Sequence, residues 1–392
     1  METEPQADLD AHDGLPLSGL MILDFSQFLA GPSCALRLAD LGARVIKVER
    51  RAGGDASRSL LLAGTTFDDT SALFHAINRG KESYAADLKD ADDLAAVKRL
   101  VARADVLIHN FRPGIMDRLG LGWDAVRALN PRLVYAGVSG YGPDGPWRDR
   151  PGQDLLVQSL SGMAWLSGDA DDPPIPAGFS VTDMMAGAQL CQGILALLLR
   201  RGVSGRGGRV DVSLMEAAID LQFEHLSVHL NQEEPMPPRS SVAGGNVYLA
   251  APYGLYATAD GHLALAMAPV DQLGTLLGMS ALDAFPPESW YPERDTIKAL
   301  LRDHLLTRGT ADWLAALEPA GIWCAPVLDW PALLAEPAFA ALDATQRIVA
   351  PGGASMMTTR CPIRIDGAIL RSSRPASRLG ADQQRIDEDM TL

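Results

Sequence analysis

The sequence predicts an α/β protein: a doubly wound, Rossmann-like parallel sheet forming a large domain, with a smaller α+β domain. Three observations lead there. Short apolar runs at 20–25 (LMILDF), 43–48 (ARVIKV), 106–110 (VLIHN) and 133–138 (LVYAGV) suit buried parallel strands. Segments of helical period separate them, as βαβ units require. At 392 residues the chain is long enough for two or three domains.

The elements follow in order. After the first run, Gly31, Pro32 and Ser33 open an apolar-periodic helix, CALRLADL, which Gly42 ends before the second strand. Residues 84–88 read as a strand. Asp90 begins a helix to Arg103, with acids at its start, where the helix dipole favours them. Residues 123–128 form a short helix ahead of the strand at 133–138. The Gly- and Pro-rich stretch 140–154 is a loop, followed by a helix-like run to Leu166 and a second loop, 167–178. Thr182 reads as the N-cap of a long helix with Asp183 in its first turn. A strand at 210–213 and a helix over 215–230 come next. The Pro-rich stretch 231–243 reads as a linker into the small domain. The resulting division is 14–230, 231–330, and 331–392 returning to the large domain.

Composition limits the partners. Lys plus Arg number 34 and Asp plus Glu 49, a net charge of −15. That balance argues against nucleic acid or an anionic membrane, yet it leaves room for an anionic small ligand that meets local Arg and Lys. The acidic N-terminus has no signal-peptide pattern, and the apolar run 184–199, broken by Gln189 and Gln192, is short for a bilayer span. Cys34, Cys191, Cys324 and Cys361 form no CxxC pair and read as free thiols of a cytoplasmic protein.

Basic residues recur at expected strand ends: Lys47, Arg50, Arg51, Lys81, Lys89, Arg112 and Arg118. Ligands of open α/β sheets bind beyond those ends. Glu49 stands where a dinucleotide-binding protein keeps its ribose acid, but the G-x-G-x-x-G fingerprint is missing, which counts against a NAD-dependent oxidoreductase. His225 and His229 are four apart but lack further ligands nearby, so no metal site is expected. No GxSxG elbow is present. Asp154 and Asp183 both follow loops and precede apolar helices, where either can accept backbone N–H bonds.

The segments LDFSQFLAGPSCALRLADLGARVIKVER, NRGKESYAADLK, ADVLIHNFRPGIMDRLGLG, NPRLVYAGVSGYGPDGPWRDRPGQD, PAGFSVTDMMAG, GRGGRVDVSLMEAA, GGNVYLAAPYGLYATADGH and GIWCAPV occur in one order. In this the chain resembles the class III CoA-transferases, whose relatives include the α-methylacyl-CoA racemases. The resemblance implies an interlocked homodimer, acyl-CoA and a carboxylic acid as substrates, and no permanently bound cofactor. It implies Asp183 as nucleophile, passing through aspartyl anhydride and aspartyl-CoA thioester. Oxyanion donors are implied at Leu29–Ala30 and in a loop at Gly244–Gly245. CoA contacts carry over to Leu29, Ala30, Arg50, Lys89, Asn110, Phe111, Arg112 and Arg118. Gln153 replaces the histidine that racemases place before the residue matching Asp154, and glutamine takes up no proton. The racemase glutamate aligns near Val270, and the common C-terminal histidine is absent from Leu379-Gly380-Ala381-Asp382. Both substrate-proximal residues, Gln153 and Asp154, are candidates, as are Met163, Trp165, Phe179 and Tyr253 for lining the substrate. An acyl-CoA racemase or isomerase of the same family, and a non-catalytic acyl-CoA-binding protein, are the alternatives.

Overall fold

A computed structural model describes residues 14–391. The chain divides into two compact units. The first takes the described chain up to Val157, then Ser180–Leu221, then the chain from Leu342; the second takes Gln158–Phe179 and Gln222–Ala341.

In the first unit six strands form one sheet: β1 (Met21–Asp24), β2 (Arg44–Glu49), β3 (Glu82–Ala85), β4 (Val106–His109), β5 (Val134–Ser139) and β6 (Gly208–Ser213). Their order is β3-β2-β1-β4-β5-β6 and every pairing is parallel. The order reverses between β1 and β4, so a crevice opens there at the carboxyl ends of the strands. Helices α1 (Ala30–Asp40), α2 (Ala91–Arg103), α3 (Trp123–Leu129), α4 (Asp154–Leu160) and α5 (Val181–Ser204) follow in chain order. On one face Leu23, Ile46, Tyr84, Leu107 and Tyr135 of the strands pack with Val97, Leu100 and Val101 of α2 and Val126 of α3. On the other, α1 and α5 pack together. Their contact is close because Gly187 has no side chain; a Cβ there would stand 2.2 Å from Ser33 Oγ and 2.6 Å from the Ala30 carbonyl. Gly193 admits Val210 of β6 in the same way.

α5 is 24 residues long, longer than the apolar run suggested, and its length and composition would suffice to cross a membrane. Here Ala186, Leu190 and Ile194 are buried against the sheet unit. Several other boundaries also move. The run after Asp154 stops at Leu160, since Gly162 adopts a left-handed φ of 84°. The helix expected over 215–230 breaks at Gln222 into Leu214–Leu221 and Phe223–Leu230. The divisions expected at 230 and 331 accordingly fall at Leu221 and Leu342, and Gln158–Phe179 joins the second unit. The C-terminal segment docks on the first unit: Ser83 N donates to Asp382 at 2.9 Å, Tyr84 Oη to Asp387 at 3.0 Å, and Arg44 pairs with Asp389 at 2.7 Å.

The second unit carries a three-stranded antiparallel sheet of β7 (Gly254–Ala257), β8 (His262–Leu265) and β9 (Cys324–Pro326). Helices α6 (Val270–Leu277), α7 (Arg294–Leu305) and α8 (Thr310–Leu317) cover it. Tyr256, Leu263, Leu265, Leu273, Leu301 and Trp313 make its core.

Beneath the β1–α1 turn lies a buried ion network. Lys81 Nζ meets Asp24 Oδ2 at 2.8 Å, Asn78 Oδ1 at 2.8 Å and the Pro32 carbonyl at 2.9 Å. Lys47 Nζ meets Asp55 at 2.8 Å and the Ser26 carbonyl at 2.8 Å. Burial pushes the Asp24 carboxyl up, but Lys47 and Lys81 more than offset this and hold it below its usual value. Burial lowers the Lys81 ammonium to about 8, so the pair is ionised at neutral pH. Removing one partner of a buried pair strands the other charge. Lys81→Met is therefore expected to cost about 3–5 kcal/mol in urea unfolding at pH 7; a loss under 1 kcal/mol would show that the network contributes little.

Candidate functional site

The β1–α1 turn is fixed from all sides. Asn110 accepts from Gln27 N at 2.9 Å and donates from Nδ2 to the Gln27 carbonyl at 2.7 Å. Ser26 N donates to Asp24 at 3.0 Å, and Phe28 N to Asp55 at 3.3 Å. Phe28 is held at a left-handed φ of 63°, which side chains disfavour and which surrounding contacts must impose. Gly31 permits the tight return, since a Cβ there would lie 2.3 Å from that of Ser26. Leu29 heads α1 with no side-chain cap, so the helix presents its first N–H groups to whatever binds above.

A cavity of about 210 Å³ opens at the switch point. Phe25, Gln27, Arg50, Leu88, Lys89 and Phe111 are among its walls, drawn from the ends of β1, β2, β3 and β4. The sequence reading of basic strand ends is thus sorted by the fold. Arg50 and Lys89 reach this cavity. Lys47 and Lys81 are consumed by the buried network, and Arg51 is paired with Asp93. Arg112 lines a different cavity, and Arg118 lines neither. Both polar atoms of the Asn110 carboxamide are spent on the Gln27 backbone, so this side chain orients the turn. Glu49 accepts from Arg58 at 2.7 Å, Ser83 at 2.7 Å and Asp55 N at 3.0 Å, which leaves it unsuited to a ribose diol.

Asp154 and Asp183 behave differently although the sequence presents them alike. Gly140 and Gly152 touch backbone to backbone; a Cβ on Gly152 would lie 2.3 Å from the Gly140 Cα. That contact closes the loop and returns Asp154 to the end of β5. Its Oδ1 accepts from Thr182 N at 2.8 Å, Thr182 Oγ1 at 2.6 Å and Asp183 N at 3.3 Å. The cap of α5 is therefore Asp154, supplied from another element, and Thr182 is a buried residue inside the helix instead of its N-cap. Sequence reasoning missed this because a cap donated across 28 residues leaves no local signature. Asp183, half-buried one turn before Gly187, projects from the turn beside the contact with Ala30. Burial, and secondly the negative Asp154, push its carboxyl up from 3.8 to about 6. Among the described residues its carboxylate accepts no hydrogen bond, and a carboxyl perturbed in this way is a candidate for chemistry.

Gly244 and Gly245 belong to the second unit, where they help to line a cavity of about 1070 Å³ with Tyr253 and Trp323. Gly244 N already donates to Asp169 at 2.6 Å, so it is not a free oxyanion donor. Met163, Trp165 and Phe179 do not line this cavity. Gln153 is exposed. Among the described residues no group of three potential metal ligands is found.

The sequence profile of CoA-transferase family III matches residues 17–383. A succinate–glutarate CoA-transferase of Agrobacterium fabrum is 32% identical over 385 residues, covering 95% of this chain and 94% of the relative. A probable fatty acyl-CoA transferase of Mycobacterium tuberculosis, Rv3272, is 33% identical over 364 residues, 89% of this chain and 91% of that one. A crystal structure of Rv3272 superposes with a TM-score of 0.81 at 30% identity, covering 95% of this chain and 99% of the other.

The raised carboxyl of Asp183 carries a stability signature. Its folded value of about 6 exceeds the ordinary 3.8, so the folded state binds more protons between those limits and loses stability as pH rises through them. Two pH units correspond to roughly 3 kcal/mol. Asp183→Asn is expected to match the wild type below pH 4 and to exceed it by roughly 1–3 kcal/mol above pH 6. Denaturant unfolding across pH 3.5–8 reads this directly, and an equal stability at pH 8 would refute it.

Proposed function

The chain belongs to CoA-transferase family III and transfers CoA between an acyl-CoA and a carboxylic acid, and we propose that Asp183 is the nucleophile that carries the acyl group. The observation that carries this reading is the contrast between the two carboxylates. Asp154 is tied to the start of α5, while Asp183 beside it is raised to about 6 by burial and by that neighbour. At neutral pH Asp183 is ionised, yet more basic than a solvated carboxylate, as a nucleophile should be.

The steps conserve atoms and charge. A carboxylate oxygen of Asp183 attacks the thioester carbonyl and CoA leaves as thiolate, giving a mixed anhydride. The thiolate attacks the aspartyl carbonyl of that anhydride, releasing the first acid as carboxylate and leaving an aspartyl-CoA thioester. The acceptor carboxylate attacks this thioester, forming a second anhydride and thiolate again. The thiolate attacks the acceptor carbonyl, which restores Asp183 and releases the new acyl-CoA. Each tetrahedral step gathers charge on an oxygen; the absence of a side-chain cap at the start of α1 supports a donor role for the N–H groups at Leu29–Ala30.

For CoA itself this reading uses Arg50, Lys89 and Phe111, which share one cavity, with Leu29 and Ala30 at the head of α1. Guanidinium and ammonium answer the phosphates, and Phe111 offers an apolar face. Arg112 and Arg118 stand outside that cavity and are not assigned to it. Gln153 supplies no proton acceptor and Val270 is fully buried, both of which favour transfer over racemisation. A homodimer working in the cytoplasm completes the proposal. Large apolar side chains exposed on Leu199, Val203, Phe223 and Leu230 support the first part, and four free cysteines the second.

Incubation with an acyl-CoA followed by hydroxylamine should convert Asp183 to a hydroxamate detectable by mass spectrometry. Asp183→Ala should lower CoA transfer by roughly four orders of magnitude, as loss of a nucleophile does. Full activity in that variant, or trapping at another residue, would overturn the assignment. In the wild type kcat/KM should rise with pH through about 6, following Asp183 ionisation; a flat profile from pH 5 to 7.5 would contradict it.

A further inference from the structure

The cavity of about 1070 Å³ in the second unit is walled on one side by Gly244 and Gly245. The chain enters that wall through Ala243, which is held at a left-handed φ of 51°. A side chain disfavours this conformation, so its surroundings must impose it. The Ala243 carbonyl is pressed against Gly254 of β7, where a Cβ would stand 2.1 Å from it. Gly244 is packed on the Gly168 carbonyl, which a Cβ would approach to 2.4 Å, and its N–H donates to Asp169 Oδ1 at 2.6 Å. From behind, Nζ of Lys298 in α7 donates to the Ala243 carbonyl at 3.2 Å and to Ser240 Oγ at 3.0 Å.

Lys298 is fully buried, yet its partners among the described residues are a carbonyl and a hydroxyl. Lys47 and Lys81, equally buried in the first unit, each meet an aspartate. The charged groups that face Lys298 are Asp295 and Arg294 of its own helix and Asp169 of the opposite loop. Burial lowers its ammonium to about 8; Asp295 and Asp169 oppose this, and Arg294 adds to it. A buried ammonium without an ion pair is costly, and an apolar side chain of the same length would fill the place more cheaply. What the ammonium supplies, and an apolar group does not, is a charge-assisted bond to a carbonyl in strained backbone. Lys298 does not line the cavity, so its effect on a ligand there passes through the Ala243 backbone.

We infer that Lys298 is a positioning residue for CoA transfer: its ammonium fixes the Ala243 carbonyl and thereby the Gly244–Gly245 wall of this cavity. The inference rests on the reading that the Gly244–Gly245 loop takes part in the reaction, and adds that a buried charge holds the loop in shape. Loss of that charge, by substitution or at high pH, weakens the grip on Ala243 and lets the glycine wall move. Arg50 and Lys89 belong to the first unit, so the effect is expected on turnover and not on CoA affinity.

Hydrogen exchange and steady-state kinetics of the full chain test this together. Transfer is followed from acetyl-, succinyl-, hexanoyl- and benzoyl-CoA to acetate, succinate, glutarate and oxalate, with the pair of highest wild-type turnover taken forward. Lys298→Met keeps the length and removes the charge. Amides of residues 243–246 should then exchange about tenfold faster or more, and kcat should fall about tenfold or more, while the Kd for CoA stays within about twofold. In the wild type kcat should fall as pH rises through about 8, and this limb should vanish in Lys298→Met. Ser240→Ala removes one acceptor and spares the charge, so it should move the limb to lower pH. A lysine that only fills space would leave the limb where it is. If Lys298→Met does not fold, the limb in Ser240→Ala decides. Unchanged exchange at 243–246 would show that Lys298 does not hold the wall, and an unmoved limb would assign it to another group; either overturns the inference. Faster exchange with unchanged kcat would also overturn it, and would place the fault in the reading of the glycine loop, since the wall would then be held by Lys298 but not used in the reaction.

Discussion

A single buried ion pair, Lys81 with Asp24, holds the geometry on which the rest of the site depends. Lys81 comes from the chain before β3, and Asp24 ends β1. Their meeting binds two strands that are not neighbours in the sheet, because β2 lies between them. Lys81 also holds the Pro32 carbonyl, and Lys47 from β2 holds that of Ser26, so both ends of the β1–α1 turn are clamped from below. Ordinary packing would not keep Phe28 at a left-handed φ. A clamp of charge-assisted bonds in a dry interior does, since breaking any one strands a charge. The turn in turn sets where α1 begins, and therefore where its uncapped N–H groups point.

The same economy of polar groups separates the two aspartates. A helix start demands acceptors for its first N–H groups. At α5 that demand is met by Asp154, from a loop closed on itself through Gly140 and Gly152. Asp183 is thereby released from the structural task that its position in the first turn would otherwise impose. It sits instead in a half-buried place beside a negative neighbour, and both influences raise its carboxyl. Two identical side chains are thus set in different surroundings, and the difference follows from which one finds donors.

The acidic composition and the anionic substrate are reconciled in the same way. The net charge of −15 is a property of the whole chain, whereas a phosphate responds to what lies within a Debye length. At the carboxyl ends of β2 and β3, Arg50 and Lys89 face one cavity, while Lys47, Lys81 and Arg51 are neutralised by Asp24, Asp55 and Asp93. Which cations remain available is decided by pairing, and counting them along the chain does not reveal it.

The sequence by itself determined the parallel α/β architecture, because buried strands and amphipathic helices write their periods locally: the runs at β1, β2, β4 and β5 stand within a residue or two of their expected places. Its resemblance to the family also pointed to Asp183, Arg50, Lys89 and Phe111, the last three of which share one cavity. What it left to the tertiary structure were relations between distant residues. That Asp154 caps α5, that Asn110 orients the Gln27 backbone, that Gly244 is already bonded to Asp169, and that Arg112 lines a cavity other than that of Arg50 and Lys89 all depend on elements meeting in space. A hydrogen bond or ion pair needs a few ångströms and an angle, and neither is encoded by spacing along the chain. Periodicity therefore fixed the fold, and only the packed structure decided which side chains were free to act.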